Sequence, residues 1–369
     1  MRGLRWAVGA LCASFALALI GPANAAAAIP RSFFGIMPQG GLGSDDYERM
    51  GDARVGTLRF EIFWAGIDPS PGAGDTDWTG PDAVVANAAR NGVAALPFIS
   101  SAPPWALELD GRDCDLHECP AYAPRGRRAL AAWRGFLTEA VGRYGPGGEF
   151  WELNPTVPER PIRAWQIWNE QNSPSFWKPK PDVKAYARLL DASHTAITGE
   201  DPGAEIILGG MFGTPLGGRR PALSAWDYLA KLYRQRGVKR DFDGVAPHPY
   251  ASKLDKVLAQ IELLRDEMVR AKDGDAELWI TELGWASGGA PNPLNRGLAG
   301  QADRLSEAFR YFVNKRRRLN VALLTWYSWR DNSATDAGLC EWCPDSGLLR
   351  EDGSAKPAYA SFTRFTGGS

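Results

Sequence analysis

The 369-residue chain carries almost no surplus of charge, 42 Lys and Arg against 43 Asp and Glu, so it lacks the one-signed field that draws a protein to nucleic acid or an anionic membrane. Histidine is scarce, with only His117, His194 and His248, and His248 alone falls near a strand end. A hydrolytic metal centre needs several His or Asp ligands brought to one place, so neither a metal nor any other cofactor is expected. No G-x-S-x-G occurs, which removes the nucleophile-elbow serine hydrolases. The turn Met37-Pro38-Gln39-Gly40-Gly41-Leu42-Gly43 has neither dinucleotide-binding spacing nor the Lys-Ser/Thr ending of a phosphate loop. Low-complexity linkers are missing too: the Pro/Gly clusters at 69–74, 145–148 and 213–218 fall between predicted elements. At 44% hydrophobic and 23% charged, the composition is that of one folded, soluble protein.

One long apolar stretch is present. Trp6 to Ile20 follows Arg2 and Arg5 and precedes Ala23-Asn24-Ala25, the basic, apolar, small-residue order of a secretory signal peptide. Residues 1–25 are expected to be removed, leaving a secreted protein, extracellular, periplasmic or cell-wall associated, with no stable membrane insertion. An uncleaved anchor is disfavoured because the run falls short of the ~20 residues of a membrane span. Cys12 would leave with it. Cys114, Cys119, Cys340 and Cys343 remain, an even number in an oxidising compartment, which points to disulfides. The local pairs Cys114 with Cys119 and Cys340 with Cys343 are favoured among three connectivities, and cross pairing stays open. Their C-x4-C and C-x2-C spacings, with His117 nearby, also fit halves of a structural zinc site, which export disfavours.

Short runs rich in Val, Ile, Phe and Trp alternate with longer stretches of helical period. The predicted strands are 33–37, 57–64, 93–100, 163–168, 205–211, 242–247, 277–281 and 321–328. Between them, 128–144 places Leu130, Trp133, Leu137, Val141 and Tyr144 on one helical face, and 254–268 does the same with Val257, Ile261, Leu264 and Met268. Further helices are predicted over 45–50, 78–90, 182–197, 225–236, 305–313 and 357–365. Eight such repeats in strict alternation predict an α/β protein with one parallel sheet, a single (β/α)8 TIM barrel over residues 30–366, with an open doubly wound sheet as the alternative.

A barrel places its reactive groups at the strand exits. The fourth predicted strand leaves through Trp168-Asn169-Glu170 and the seventh through Thr281-Glu282-Leu283-Gly284-Trp285. A carboxylate at the end of an apolar strand is costly unless it is paired or faces a cleft. Two of them on opposing strands could flank one bond, and a separation of about 5 to 5.5 Å is the geometry of a retaining glycosidase.

These residues resemble the signature of the clan of (β/α)8 retaining glycoside hydrolases that includes families 5 and 39. Asn169-Glu170 and Glu282 are matched by Arg59 on the second strand, His248-Pro249-Tyr250 on the sixth and Trp326 on the eighth. Gly347-Leu348-Leu349 with Lys356-Pro357-Ala358-Tyr359 is similar to the end of family 39-like proteins, and the resemblance runs from Phe33 to Phe365. It implies Glu170 as general acid/base and Glu282 as nucleophile. Glu282 would then be kept ionised by Arg59 and Tyr250, and Glu170 raised by burial and its neighbouring carboxylate. Asn169 would bind the sugar 2-hydroxyl, and His248 would orient the sugar or Glu170. Trp is as abundant as Phe, fifteen each, and many fall at strand ends, which suits sugar stacking. Trp326 is expected as the platform, followed by Trp105. The expected partner is a carbohydrate substrate, bound by a monomer. A secreted carbohydrate-binding barrel without turnover is the rival reading.

Overall fold

The computed structural model describes residues 29–70, 76–107, 114, 119–213, 223–333 and 340–369. The predicted signal segment, Cys12 and His117 lie outside them. In chain order the structure runs β1 (Phe34–Met37), α1 (Ser44–Asp52), β2 (Thr57–Phe63), α2 (Trp64–Ile67), α3 (Thr79–Arg90), β3 (Ala94–Ser100), α4 (Gly126–Tyr144), α5 (Glu149–Leu153) and β4 (Ala164–Asn169). It continues with α6 (Val183–Glu200), β5 (Glu205–Phe212), α7 (Ala225–Leu232), β6 (Gly244–Val245), β7 (Pro247–His248) and α8 (Leu254–Arg270). The last elements are β8 (Glu277–Leu283), α9 (Gly297–Lys315), β9 (Val321–Tyr327) and α10 (Pro357–Thr366).

Every pairing between these strands is parallel, and the ring closes because β1 pairs with both β2 and β9 while β4 pairs with both β3 and β5. β6 and β7 are two halves of one strand interrupted at Ala246, each bonded to β5, so the barrel has eight positions. The fold is a closed (β/α)8 barrel, as the alternation predicts.

Strand residues alternate between its two faces. Leu58, Phe60 and Ile62 of β2 point outward into the layer shared with the helices, where α4 contributes Trp133, Phe136, Leu137, Ala140, Val141 and Tyr144, all buried. Helix starts follow local chemistry. Asp182 caps α6 by accepting from the Ala185 N–H at 3.0 Å, Ser224 caps α7 through the Asp227 N–H, and Pro357 opens α10. α9 begins eight residues before the predicted 305, since its first two turns are mostly polar or small and expose Leu298, which hides the helical period.

Cys114 is bonded to Cys119 and Cys340 to Cys343, with Cα separations of 5.2 and 5.4 Å, so the favoured local pairing holds.

Candidate active site

The site is organised by Arg59. It lies on the inward face of β2, fully buried, with its guanidinium 4.1 Å from the Phe98 ring centroid. Each of its nitrogens donates: Nε to Gln166 Oε1 at 2.6 Å, Nη1 to Glu282 Oε1 at 2.6 Å and Nη2 to Asn169 Oδ1 at 2.8 Å. One cation thus joins β2, β4 and β8 at the centre of the barrel.

Both glutamates sit where strand alternation breaks. In β4, Gln166 points inward and Ile167 outward, so a regular strand would send Trp168 in and Asn169 out. Trp168 instead has φ of 71° and packs outward against Trp133 and Trp177, which turns Asn169 toward Arg59. Glu170 follows with φ of 43°, its N–H bonded to the Gly210 carbonyl at 2.9 Å. A left-handed backbone at a bulky residue costs on the order of 1–3 kcal/mol and persists only where its surroundings impose it. In β8 the pairing with β9 is irregular between Ile280 and Leu283, and Thr281 and Glu282 both reach inward as a result.

The two carboxylates are brought together. One oxygen from each of Glu170 and Glu282, and one nitrogen of His248, all lie within 4.8 Å of one another. Tyr250 Oη donates to Glu282 Oε2 at 2.8 Å, so both oxygens of Glu282 accept a hydrogen bond. His248 Nδ1 faces Glu170 Oε1 at 2.8 Å and its Nε2 faces Thr281 Oγ1 at 3.0 Å. Gly210 leaves the space for that ring, since a Cβ there would lie 1.9 Å from His248 Nε2. The two glutamates and the histidine are the donors that could hold a cation here. The Arg59 guanidinium already at Glu282, and the commitment of both imidazole nitrogens, suit the set to proton transfer instead.

Burial raises both acids, but unequally. For Glu170 desolvation and the charge of Glu282 act together against ionisation, with Arg59 opposing, and its pKa is pushed well above the usual carboxylate value. Glu282 is also raised, by desolvation, which outweighs the lowering expected from its cation; Arg59 and the bonds from Tyr250 and Arg59 hold the rise in check. The pair's proton therefore sits on Glu170. Desolvation, then the Arg59 charge, pushes His248 well below its usual value, so the imidazole is neutral.

One expected platform residue is placed elsewhere. Trp326 does not face the cleft: it is fully buried on the outer side of β9, its ring against Trp285 and Phe309 of α9 and its N–H toward the Ser346 carbonyl. Leu323 and Thr325 point into the barrel beside Gly35, so the inward residue at this strand's end is Tyr327. Tyr327 packs on Tyr250 and on Trp342, which also meets Tyr250 at 4.8 Å between centroids. Trp105 stays half-buried at the β3 exit, its N–H given to the Asp68 carbonyl at 2.9 Å and its ring against Trp64. Trp64, Trp168, Trp177, Trp285 and Trp329 are buried as well.

Sequence reasoning missed Gln166, Thr281, Tyr327 and Glu61. Period-two alternation from Arg59 marks Glu61 as inward-facing, one layer nearer the mouth, where Ser100 and Ser101 donate to its Oε1 at 2.5 and 3.1 Å. The same count from Thr325 would have found Tyr327.

No protein-family model and no curated protein sequence matches the chain. Solved structures do match. A family 39 glycoside hydrolase from the gut symbiont Bacteroides cellulosilyticus WH2 superposes with a TM-score of 0.64 at 20% identity, over 91% of this chain and 63% of that one. An intracellular xylanase from Thermoanaerobacterium saccharolyticum JW/SL-YS485 gives 0.62 at 14% identity, over 89% and 94%. GH5_18 from Bifidobacterium longum subsp. infantis gives 0.61 at 13%, over 88% and 72%. This chain thus spans less than two thirds of the family 39 hydrolase it matches. In fold, at low sequence identity, the chain is similar to the (β/α)8 barrels of family 39 and family 5 glycoside hydrolases.

Proposed function

We propose that the chain is a secreted retaining glycoside hydrolase that cleaves β-linked O-glycosidic bonds of an oligo- or polysaccharide by double displacement. The observation that carries this reading is the carboxylate pair: Glu170 and Glu282 approach within 4.8 Å, one bonded to a neutral imidazole and the other to a guanidinium and a phenol. Inverting enzymes hold their carboxyls about 6.5–9.5 Å apart to admit a water, and the close approach of one oxygen from each glutamate favours the retaining arrangement.

In the first half-reaction Glu282 attacks the anomeric carbon while Glu170 gives its proton to the departing oxygen. A glycosyl ester forms on Glu282 and the alcohol leaves. Glu170, now a carboxylate, takes a proton from water, the water oxygen attacks the anomeric carbon, and the ester bond breaks. Arg59 and Tyr250 hold Glu282 in place throughout, and Asn169, anchored by Arg59, offers its amide N–H to the sugar 2-hydroxyl.

Aryl β-glycosides, β-xylosides first because a xylanase shares the fold, would be assayed with wild type, Glu170→Ala and Glu282→Ala. Activity lost in both variants, with the β-anomer formed first by proton NMR, supports the reading. Full activity in either variant, or an α-anomer formed first, overturns it. A binding-only barrel would bind saccharide without releasing product.

A further inference from the structure

We propose that Gln166 and Thr281 are positioning residues which fix the tautomer of His248, and thereby choose the Glu170 oxygen that carries the acid proton. The inference rests on Glu170 being the acid/base, but the hydrogen-bond logic stands without it.

The chain of constraint starts at a group that can only donate. Arg59 Nε points at Gln166 at 2.6 Å, so the atom facing it must be the amide oxygen. The Gln166 nitrogen then faces the Leu208 carbonyl at 3.0 Å and Thr281 Oγ1 at 3.2 Å, one hydrogen for each. Thr281 accepts there. Its own hydrogen is left one acceptor among the described residues, His248 Nε2 at 3.0 Å. An imidazole that is neutral and accepts at Nε2 carries its hydrogen on Nδ1. That N–H points at Glu170 Oε1, 2.8 Å away, with Glu282 Oε2 farther off at 3.5 Å.

The consequence falls on Glu170. Its Oε1 accepts from His248, so the acid proton occupies Oε2, clear of the imidazole and free to pass to the departing oxygen. With the opposite tautomer a bare Nδ1 would accept the Glu170 proton and hold it back from the sugar. Once Oε2 has given up its proton, the same Nδ1–H steadies the carboxylate until Oε2 takes a proton from water. Gln166 and Thr281 make their hydrogen bonds to Arg59, the Leu208 carbonyl, each other and His248, and none to either carboxylate.

The test reads the tautomer directly. With three histidines in the chain, 15N-histidine labelling gives a sparse imidazole spectrum, and His248→Asn assigns the relevant signals. Wild type is expected to show His248 with a protonated Nδ1 and a bare Nε2. Thr281→Val removes the donor and Gln166→Glu turns the Thr281 hydrogen away from His248, so both should shift His248 toward Nε2–H, and Thr281→Ser should restore the wild-type pattern. In kinetics Thr281→Val should lose about tenfold in kcat/KM on substrates with poor leaving groups and far less on activated ones, as an acid defect does. An Nε2–H tautomer in wild type, a tautomer unmoved by both variants, or a loss independent of leaving group overturns the proposal. The spectrum needs no substrate, so its failure leaves the glycosidase reading intact, while full activity in Glu170→Ala defeats that reading without touching the spectrum.

Discussion

Arg59 Nη1 stands 2.6 Å from Glu282 Oε1, and Arg59 is the main group opposing the desolvation of that carboxylate. Removing it leaves a buried acid without its cation and a buried Gln166 oxygen without its donor. Arg59→Ala should lower kcat/KM by at least ~10²-fold and cost about 3–5 kcal/mol of stability, the usual penalty for breaking a buried ion pair. Arg59→Lys keeps the charge but gathers its three donors on one nitrogen in place of the three nitrogens that reach Gln166, Glu282 and Asn169, and should recover only part of the activity. Urea unfolding together with aryl glycoside kinetics reads both.

The pH profile follows from the two acids. The proposed double displacement needs Glu282 ionised, so activity should fall as pH drops through its raised pKa, and Glu170 protonated, so activity should fall as pH climbs through its still higher one. A bell is expected, with both limbs above the ordinary carboxylate value and belonging to the coupled pair. Glu170→Ala should lose the alkaline limb. The linked effect on stability has the same sign: the Glu170 contribution is full below the unfolded-state pKa and is lost as pH rises through the folded one. The thermal midpoint of Glu170→Gln should be flatter than wild type across that rise.

Gly210→Ala tests the seat of the imidazole. A methyl group 1.9 Å from His248 Nε2 cannot be accommodated by a ring fixed at both nitrogens. The variant should displace His248 from Glu170 and reduce turnover on poor leaving groups by ~10-fold or more, with KM less affected.

Trp326 and Tyr327 should separate cleanly. Trp326→Ala empties a buried site between β9 and α9 and should cost about 3–5 kcal/mol of stability. Tyr327→Ala removes a half-buried ring beside Tyr250 and should raise KM or lower kcat/KM while leaving the unfolding midpoint near wild type. Equal stability losses would place both side chains in the core.

Trp342 is held between Glu341 and Cys343, inside the short loop closed by the Cys340–Cys343 disulfide, with its ring on Tyr250 and Tyr327. Cys340→Ser with Cys343→Ser should therefore raise KM, and wild type treated with reductant should behave alike.

Much of this was readable in the chain. Apolar runs of strand length separated by amphipathic helices announce a parallel barrel, because each strand needs covering on its outer face and each helix has one face to give. The glutamates were legible because a carboxylate ending an apolar strand needs a partner. The aim of the strand-end aromatics was not. Trp326 and Tyr327 are adjacent, both aromatic, and a shift of one residue exchanges the cleft for the core. Trp168 and Trp285 went into the core in the same way, since a strand-end indole serves packing or sugar equally well.

By itself the sequence determined the order of elements and their strict alternation, because these rest on short-range periodicity; it favoured the closed ring and the local cysteine pairs, and the structure closes both. Only the tertiary structure decided which side chains share the barrel mouth. Inward or outward aim depends on where alternation breaks, at Trp168 and between Ile280 and Leu283, and those breaks are imposed by contacts with neighbouring strands and helices far away in the chain.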